Sequence, residues 1–133
     1  MSEQARAIVA AHGTLALGLV SAVACIAGDA AAGRLIPLSN ASLGGADLAD
    51  AMRRAVVSSG ATVVFTDLPA GSCTIAARRI AREVPGLAVV CGANLPLLLA
   101  FAVTPAGSAL PMGAAVDKAR AALLLAEEGK GDH

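Results

Sequence analysis

The chain has 133 residues, of which 56% are hydrophobic, and this apolar content is too high for an intrinsically disordered protein. Ten Lys and Arg residues balance ten Asp and Glu residues, so the formal net charge is zero and gives no basic footprint for nucleic acid or for an anionic membrane. With two Phe residues, no Trp and no Tyr, the chain also lacks aromatic platforms for base stacking.

Two apolar stretches, residues 7–27 and 87–103, are long enough to raise the question of a membrane span. Polar residues and glycines interrupt the first stretch, which is not flanked by a basic cluster or an aromatic belt, and Gly92, Asn94 and Pro96 interrupt the second. The first six residues mix Glu3 with Arg6, which does not fit a signal peptide. The sequence therefore predicts a single cytoplasmic domain over residues 1–133, with a polar tail at 129–133.

Short apolar strands alternate with helical segments along the chain. The first half predicts a strand at 6–12, a helix at 14–27 with Thr14 as N-cap and Gly28 as stop, an edge strand at 34–38 containing Pro37, and a helix at 46–58. The second half predicts a strand at 61–66, a helix at 72–83, a strand at 87–91, a helix at 95–103 with Asn94 as N-cap, and a last helix at 114–127. Residues 104–113 are irregular, with room for one short strand.

This alternation predicts an α/β fold: a doubly wound, mostly parallel central sheet of four to five strands with helices on both faces. Ligands of such sheets bind beyond the carboxyl ends of the strands, where the strand order reverses. Four loops are expected to meet there, at residues 12–14, 39–40, 67–74 and 92–94. Ser39, Asn40 and Asn94 are accordingly expected at the border of a site.

His12 and Asp67 each follow an apolar strand, so an imidazole and a carboxylate can meet at this edge. A carboxylate bound to one ring N–H fixes the tautomer and leaves the other nitrogen as a nucleophile or base. The alternative is a buried histidine with a structural role only. The other histidine, His133, lies in the polar tail and is not expected to be a ligand.

Gly71 and Ser72 open a predicted helix, where backbone N–H groups and the Ser72 hydroxyl can bind an anion. Thr14 offers another hydroxyl. Beside such donors, an oriented imidazole is suited to carry a phosphoryl group. Neither a nucleotide-binding glycine motif nor G-x-S-x-G occurs, so nothing supports nucleotide binding or a serine hydrolase.

No metal or other cofactor is expected, because the three cysteines form no C-x-x-C pair and no ligand cluster accompanies Asp67. Cys25 and Cys91 are expected in the core. Cys73 is expected to be a small packing residue near a helix start, with an accessible thiol as the alternative. A basic strip on the predicted helix 72–83 is interpreted as a solvated face, formed by Arg78, Arg79 and Arg82.

Three segments resemble the IIA domains of the mannose-type phosphotransferase system. Residues 8–13, I-V-A-A-H-G, resemble the start of the family, and residues 65–72, F-T-D-L-P-A-G-S, resemble its (T/V)-D-x-x-G-G-(S/T)-P loop. Residues 90–98, V-C-G-A-N-L-P-L-L, resemble its V-x-G-x-N-x-P-M-L segment. The three segments occur in the family's order and at about its spacing, and the resemblance covers residues 5–128.

The resemblance implies that His12 accepts phosphate from the phosphohistidine carrier HPr and passes it to a IIB domain, which works with the membrane components IIC and IID. Asp67 would orient the imidazole, and Ser72 and the backbone around Gly71 would bind the phosphoryl oxygens, beside the Asn94 loop. The family also implies a doubly wound domain that is often dimeric through exchange of the C-terminus. The alternative is a regulatory module that binds partners according to its phosphorylation state.

The chain departs from the family pattern in two loops. Ala70 stands where the family has the first glycine of its pair, Cys73 where it has proline and Ile75 where it has asparagine. The loop after the second strand reads P-L-S-N at 37–40 in place of a P-G-E signature. These departures leave His12 and Asp67 in place.

Overall fold

The computed structural model describes residues 4–131, which form a four-stranded parallel sheet with helices on both faces. The strand order is β2-β1-β3-β4, and the strands are β1 (Ala7–Ala11), β2 (Leu35–Ser39), β3 (Val63–Thr66) and β4 (Ala88–Val90). The chain winds from β1 to one side and then crosses to the other, so the strand order reverses at β1 and β3. A crevice beyond the carboxyl ends of the strands is expected at such a reversal.

Six helices surround the sheet in the described part of the chain: α1 (Leu15–Ala27), α2 (Asp29–Ala32), α3 (Gly45–Ser59), α4 (Ser72–Glu83), α5 (Leu95–Ala102) and α6 (Met112–Ala121). Helices α1, α5 and α6 pack on one face, and α3 and α4 pack on the other. The doubly wound α/β prediction is confirmed. None of these helices combines the length and the hydropathy that a bilayer span needs.

The core is aliphatic because each strand alternates its side chains between the two layers. In β1, Ala7, Val9 and Ala11 face the α1 layer, while Ile8 and Ala10 face the α3 layer, and all five are at most 2% exposed. The two phenylalanines meet edge to face with ring centroids 5.6 Å apart, which joins β3 to α5. Pro37 lies on β2, which is the edge strand that the sequence predicts.

The end of α6 and the presence of α2 differ from the sequence-based predictions. The predicted last helix, 114–127, ends at Ala121, and Leu123–Leu125 are 65–88% exposed, because no layer of this chain lies beneath them. The short α2 follows directly after Gly28, whose φ of +94° ends α1, and four residues are too few to leave a periodic signal. Residues 104–113 contain no strand.

The cysteines are distributed differently from expectation. Cys25 is exposed and not in the core, because α1 buries Ala16 and Val23 and turns Cys25 outward. The helix is apolar around its whole circumference, so its sequence does not reveal which face is buried. Cys73 is buried, as expected for a packing residue, and Cys91 is half-buried.

A buried arginine joins the start of β2 to the end of α5. Arg34 is only 4% exposed, and its guanidinium donates to the carbonyl oxygens of Ala5 at 2.8 Å, Ala102 at 2.9 Å and Thr104 at 2.6 Å. It also lies 5.2 Å from the centre of the Phe101 ring. Burial lowers the pKa of Arg34 from its ordinary value. The carbonyls at the end of α5, which carry the negative end of the helix dipole, stabilise the charge.

We expect Arg34→Ala to lower the free energy of unfolding by about 2–4 kcal/mol, because it leaves three carbonyls without their charged donor. Denaturant-induced unfolding followed by circular dichroism measures the change. Arg54→Ala is the matched control, since Arg54 is an exposed arginine on α3 and should change stability by less than about 0.5 kcal/mol. Equal stability of the two variants would contradict this role of Arg34.

Candidate functional site

His12 and Asp67 are joined at the carboxyl ends of the neighbouring strands β1 and β3. One carboxylate oxygen, Asp67 Oδ2, accepts two hydrogen bonds from His12: the backbone N–H at 2.9 Å and the ring nitrogen Nδ1 at 2.8 Å. Gly13 follows with φ +58°, a conformation that favours glycine and turns the chain into α1. Backbone and ring of His12 are therefore held by the same atom.

The side chains of His12 and Asp67 differ in solvent exposure, so the imidazole is accessible and the carboxylate is enclosed. The Asp67 side chain is 9% exposed and that of His12 is 47% exposed. Burial alone would raise the pKa of the Asp67 carboxyl, but the hydrogen bonds from the His12 backbone and ring outweigh it, so the pKa lies below its ordinary value of 3.8. The ionised Asp67 carboxylate therefore contributes to the stability of the fold at pH values above its ordinary pKa of 3.8, and this contribution is lost as the pH falls from there through the lowered pKa.

The start of α4 lies against the imidazole. Gly71, the N-cap residue, has φ +116°, and a Cβ at this position would lie 3.6 Å from Cε1 of His12. The N–H groups of Ser72, Cys73 and Thr74 precede the first bond of the helix, so they have no intrahelical acceptor. No side chain caps this terminus and no acidic residue lies in the first turn. An anion bound here would meet free donors and the positive end of the helix dipole.

Two polar residues at the end of β2 hold the turn that carries His12. Ser39 Oγ donates to the carbonyl oxygen of Gly13 at 2.7 Å and accepts from the Ala41 N–H at 3.0 Å. Asn40 Oδ1 accepts from the Gly13 N–H at 3.3 Å, and Asn40 Nδ2 donates to Ser72 Oγ at 3.2 Å. The structure thus brings together the loops of His12, Asn40, Asp67 and Ser72.

Two buried threonines, which the sequence analysis did not single out, fasten the loop between β3 and α4. Thr74 Oγ1 donates to the carbonyl oxygen of Leu68 at 2.6 Å, and Thr66 Oγ1 donates to Thr74 Oγ1 at 2.7 Å, with the same carbonyl 3.3 Å away as its alternative acceptor. Both threonines are at most 2% exposed. A threonine next to the strand-end carboxylate and another in the first turn of the following helix were the available signal.

Thr14 and Asn94 lie at helix starts but make different contacts. Thr14 is the exposed N-cap residue of α1, and its side chain makes no capping hydrogen bond. Asn94 caps α5 as predicted, accepting from the Leu97 N–H at 3.1 Å, and it donates to the Ala119 carbonyl of α6 at 2.7 Å. Its loop reaches the end of β3 through the Ala93 N–H, which donates to Thr66 O at 2.9 Å.

The imidazole lies at an open surface and not in a closed cavity. A groove of about 410 Å³ between α5 and α6 is lined by residues such as Pro96 and Ala115, and none of its lining residues belongs to the His12 site. Within residues 4–131, no group of three or more His, Cys, Asp or Glu side chains is arranged to hold a metal ion.

The other residues that the sequence analysis singled out lie outside the His12–Asp67 pair. Burial and the Asp67 carboxylate raise the pKa of the Cys73 thiol, so this cysteine is a poor nucleophile. Arg78, Arg79 and Arg82 are exposed, as expected for a solvated face. His133 lies outside the described residues.

Comparison with solved structures places this fold among known sugar phosphotransferase components. The mannose/sorbose specific IIA subunit of the phosphotransferase system from Enterococcus faecalis superimposes with a TM-score of 0.77 at 21% identity, covering 98% of this chain and 100% of that chain. The IIA protein associated with the fucose utilization operon of Streptococcus pneumoniae gives 0.82 at 22% identity, covering 94% and 96%. At these identities the likeness establishes the fold.

A search of curated proteins gave no match. A family model for the mannose-type IIA domain (EIIA-man), which carries the description fructose IIA component of the phosphotransferase system, matches residues 6–120. That match spans both strand ends, the loop before α4 and the helices that frame them. The chain therefore belongs to the mannose-type IIA family of the sugar phosphotransferase system.

Proposed function

We propose that this protein is a phosphoryl carrier, which accepts phosphate from HPr on Nε2 of His12 and passes it to a IIB domain that serves a membrane IIC and IID pair. The proposal rests on the different hydrogen bonding of the two imidazole nitrogens. Nδ1 is bound to the Asp67 carboxylate, while Nε2 has no hydrogen-bond partner among residues 4–131 and belongs to a half-exposed side chain. One nitrogen is thus fixed and the other is available.

The transfer needs no general base. The lone pair of Nε2 attacks the phosphorus of the donor phosphohistidine, the new N–P bond forms, and the donor's N–P bond breaks with its electron pair returning to the donor ring. Nδ1 keeps its proton throughout. Phosphorylation makes the ring of His12 cationic, and the Asp67 carboxylate stabilises that charge at 2.8 Å. The same steps in reverse deliver the group to the next carrier.

The phosphoryl oxygens would be bound at the start of α4. Its free N–H groups and the Ser72 hydroxyl supply donors without moving the backbone, and Gly71 leaves the space between helix and ring unoccupied. The exposed Thr14 hydroxyl is a further proposed donor on the opposite loop. The loop of Asn94 forms the outer border.

Exposure of the site fits a carrier better than an enzyme for small molecules. A carrier must present one nitrogen to two protein partners in turn, so its histidine cannot be enclosed. At 47% exposure, the ring of His12 is accessible while its carboxylate partner remains at 9%. Small-molecule sites bury most of their ligand, and the 410 Å³ groove lies elsewhere.

We expect His12→Ala to abolish incorporation of acid-labile, base-stable phosphate from phospho-HPr, because no other nitrogen of this site can form the N–P bond. Incubation with enzyme I, HPr and labelled phosphoenolpyruvate measures it. The matched control is His133→Ala, which removes the other histidine and should retain full incorporation. Full labelling of His12→Ala would contradict His12 as the phosphoryl acceptor. Labelling of the wild-type protein without transfer to any IIB domain would favour the regulatory alternative.

Asp67→Asn should slow phosphorylation by roughly ten- to a hundredfold, because a charged hydrogen bond worth about 1.5–3 kcal/mol is lost. Single-turnover transfer from purified phospho-HPr gives the rate, and the melting temperature should fall only modestly, because the amide has the same shape and keeps an oxygen acceptor for the His12 N–H. Addition of EDTA should leave the wild-type rate unchanged. Wild-type transfer rates in Asp67→Asn would refute the role of the carboxylate.

We also propose that the protein forms a homodimer through its C-terminal segment. Strand β4 has β3 as its sole partner in the described sheet, and a groove of about 270 Å³ beside it is lined by Val90, Leu97 and Val116, with Asn94, Arg120 and Leu123 of the same chain also along it. Leu123, Leu124 and Leu125 follow α6 and are 88%, 65% and 77% exposed. In a dimer, the three exposed leucines of one copy would pack beside the open β4 edge of the other copy.

Replacing all three leucines by serine should convert the dimer to a monomer, as measured by sedimentation equilibrium. Val57→Ser is the matched control, since Val57 is 71% exposed on α3 and lies outside the proposed interface. It should leave the molecular mass unchanged. A monomeric wild-type protein, or a triple variant that remains dimeric, would rule out this interface.

A further inference from the structure

We propose that Asn40 is a positioning residue, which holds the Ser72 hydroxyl so that its hydrogen is directed at the phosphoryl group on His12. The inference rests on the proposed function and extends it to a loop in which this chain departs from its family. The geometry that carries it is a bridge: one amide side chain contacts both the turn after His12 and the start of α4. Asn40 is itself half-buried between these elements.

The orientation of the Asn40 amide follows from its partner. The backbone N–H of Gly13 can only donate, so the atom that faces it at 3.3 Å must be the oxygen Oδ1. The nitrogen Nδ2 therefore points to Ser72 Oγ, 3.2 Å away. Nδ2 can only donate, so the serine oxygen accepts this hydrogen bond.

This bond determines what the serine hydroxyl can do. Because Ser72 Oγ accepts from Asn40, its own hydrogen is left for another acceptor. The side chain of the next residue, Cys73, carries a sulfur atom, which is a weak hydrogen-bond acceptor. A phosphoryl oxygen on Nε2 would be a much stronger acceptor, so the hydroxyl would turn to it without losing its bond from Asn40.

Asn40 is well placed to act in this way because its backbone is fixed to the same turn. Its N–H donates to Ala11 O at 3.2 Å, directly beyond the pairing of β1 with β2. The preceding Ser39 holds the carbonyl of Gly13. The N–H and the carbonyl of Gly13 are thus both bound, by Asn40 and by Ser39 at the end of β2, and the same Asn40 side chain continues to Ser72.

A double-mutant cycle tests whether Asn40 acts through Ser72. Asn40→Ala should lower kcat for transfer from phospho-HPr by about fivefold, the size of one neutral hydrogen bond, with KM for phospho-HPr unchanged. Ser72→Ala should lower kcat by roughly ten- to a hundredfold. In the Ser72→Ala background, the effect of Asn40→Ala should shrink to less than about twofold, because the group that it positions is gone.

A second variant separates positioning from folding. Asn40→Asp keeps an oxygen for the Gly13 N–H but replaces the donor to Ser72 by an acceptor, which draws the serine hydrogen away from the phosphoryl group. It should therefore retain the wild-type melting temperature and lower kcat more than Asn40→Ala does. Ser42→Gly is the matched control in the same loop: Ser42 is exposed with φ +63°, so glycine relieves strain and the transfer rate should not change.

The outcomes separate this inference from the proposed function. A wild-type protein that takes no phosphate would overturn the carrier proposal and this inference with it. A phosphorylated wild type with an equal rate in Asn40→Ala, or with Asn40→Ala and Ser72→Ala effects that multiply in full, would overturn only the positioning role. A reduced effect of Asn40→Ala in the Ser72→Ala background, with KM unchanged, supports it.

Discussion

The site depends on one carboxylate oxygen. Asp67 Oδ2 accepts both the backbone N–H and the ring Nδ1 of His12, so it fixes where the residue is and how its ring is turned. The contact exists because β1 and β3 are neighbours and their register pairs Ala10 with Thr66. Asp67, one residue beyond Thr66, and His12, two residues beyond Ala10, then lie at the same edge of the sheet. A strand order that placed another strand between β1 and β3 would separate the imidazole from its carboxylate.

The loops around this pair are held by polar contacts and not by apolar packing. Ser39 and Asn40 hold the Gly13 peptide, and the hydroxyls of Thr66 and Thr74 hold the carbonyl of Leu68. The threonine hydroxyls are buried, whereas the hydrogen bonds of Ser39 and Asn40 to Gly13 lie at the surface. The result is an exposed imidazole whose surrounding loops are tied together by hydrogen bonds, as the proposed carrier role requires.

Much of this arrangement could be predicted from the sequence. The alternating apolar runs gave the strands and the parallel sheet, and the polar residues after each strand gave the carboxyl edge. Helix α2 could not be predicted because it has one turn, and the end of α6 could not because the leucines that follow it are apolar without being buried by this chain. Cys25 was misplaced because every face of α1 is apolar.

The hydrogen-bond partners were less predictable than the elements. The capping role of Asn94 follows from its place before Leu95 and Pro96, yet its second bond, to Ala119 of α6, depends on how two distant helices pack. Asn40 was expected only at the border of the site. Its bridge from Gly13 to Ser72 requires the loops after β1 and β2 and the start of α4 to be placed together, which no local pattern encodes.

The departures of this chain from its family pattern have physical consequences at the site. Ala70 has a negative φ, so the missing glycine causes no backbone strain, and the positive φ of the loop is at Gly71. Cys73, in place of proline, restores a backbone N–H in the first turn of α4, which adds one donor where the phosphoryl group would be bound. Ile75, in place of asparagine, is 68% exposed and leaves this end of α4 more apolar, as does Leu68 at 48%. The residues proposed to carry the transfer are thus retained while the surface that a partner would meet has changed, and the selection of partners is where this chain is expected to differ from its relatives.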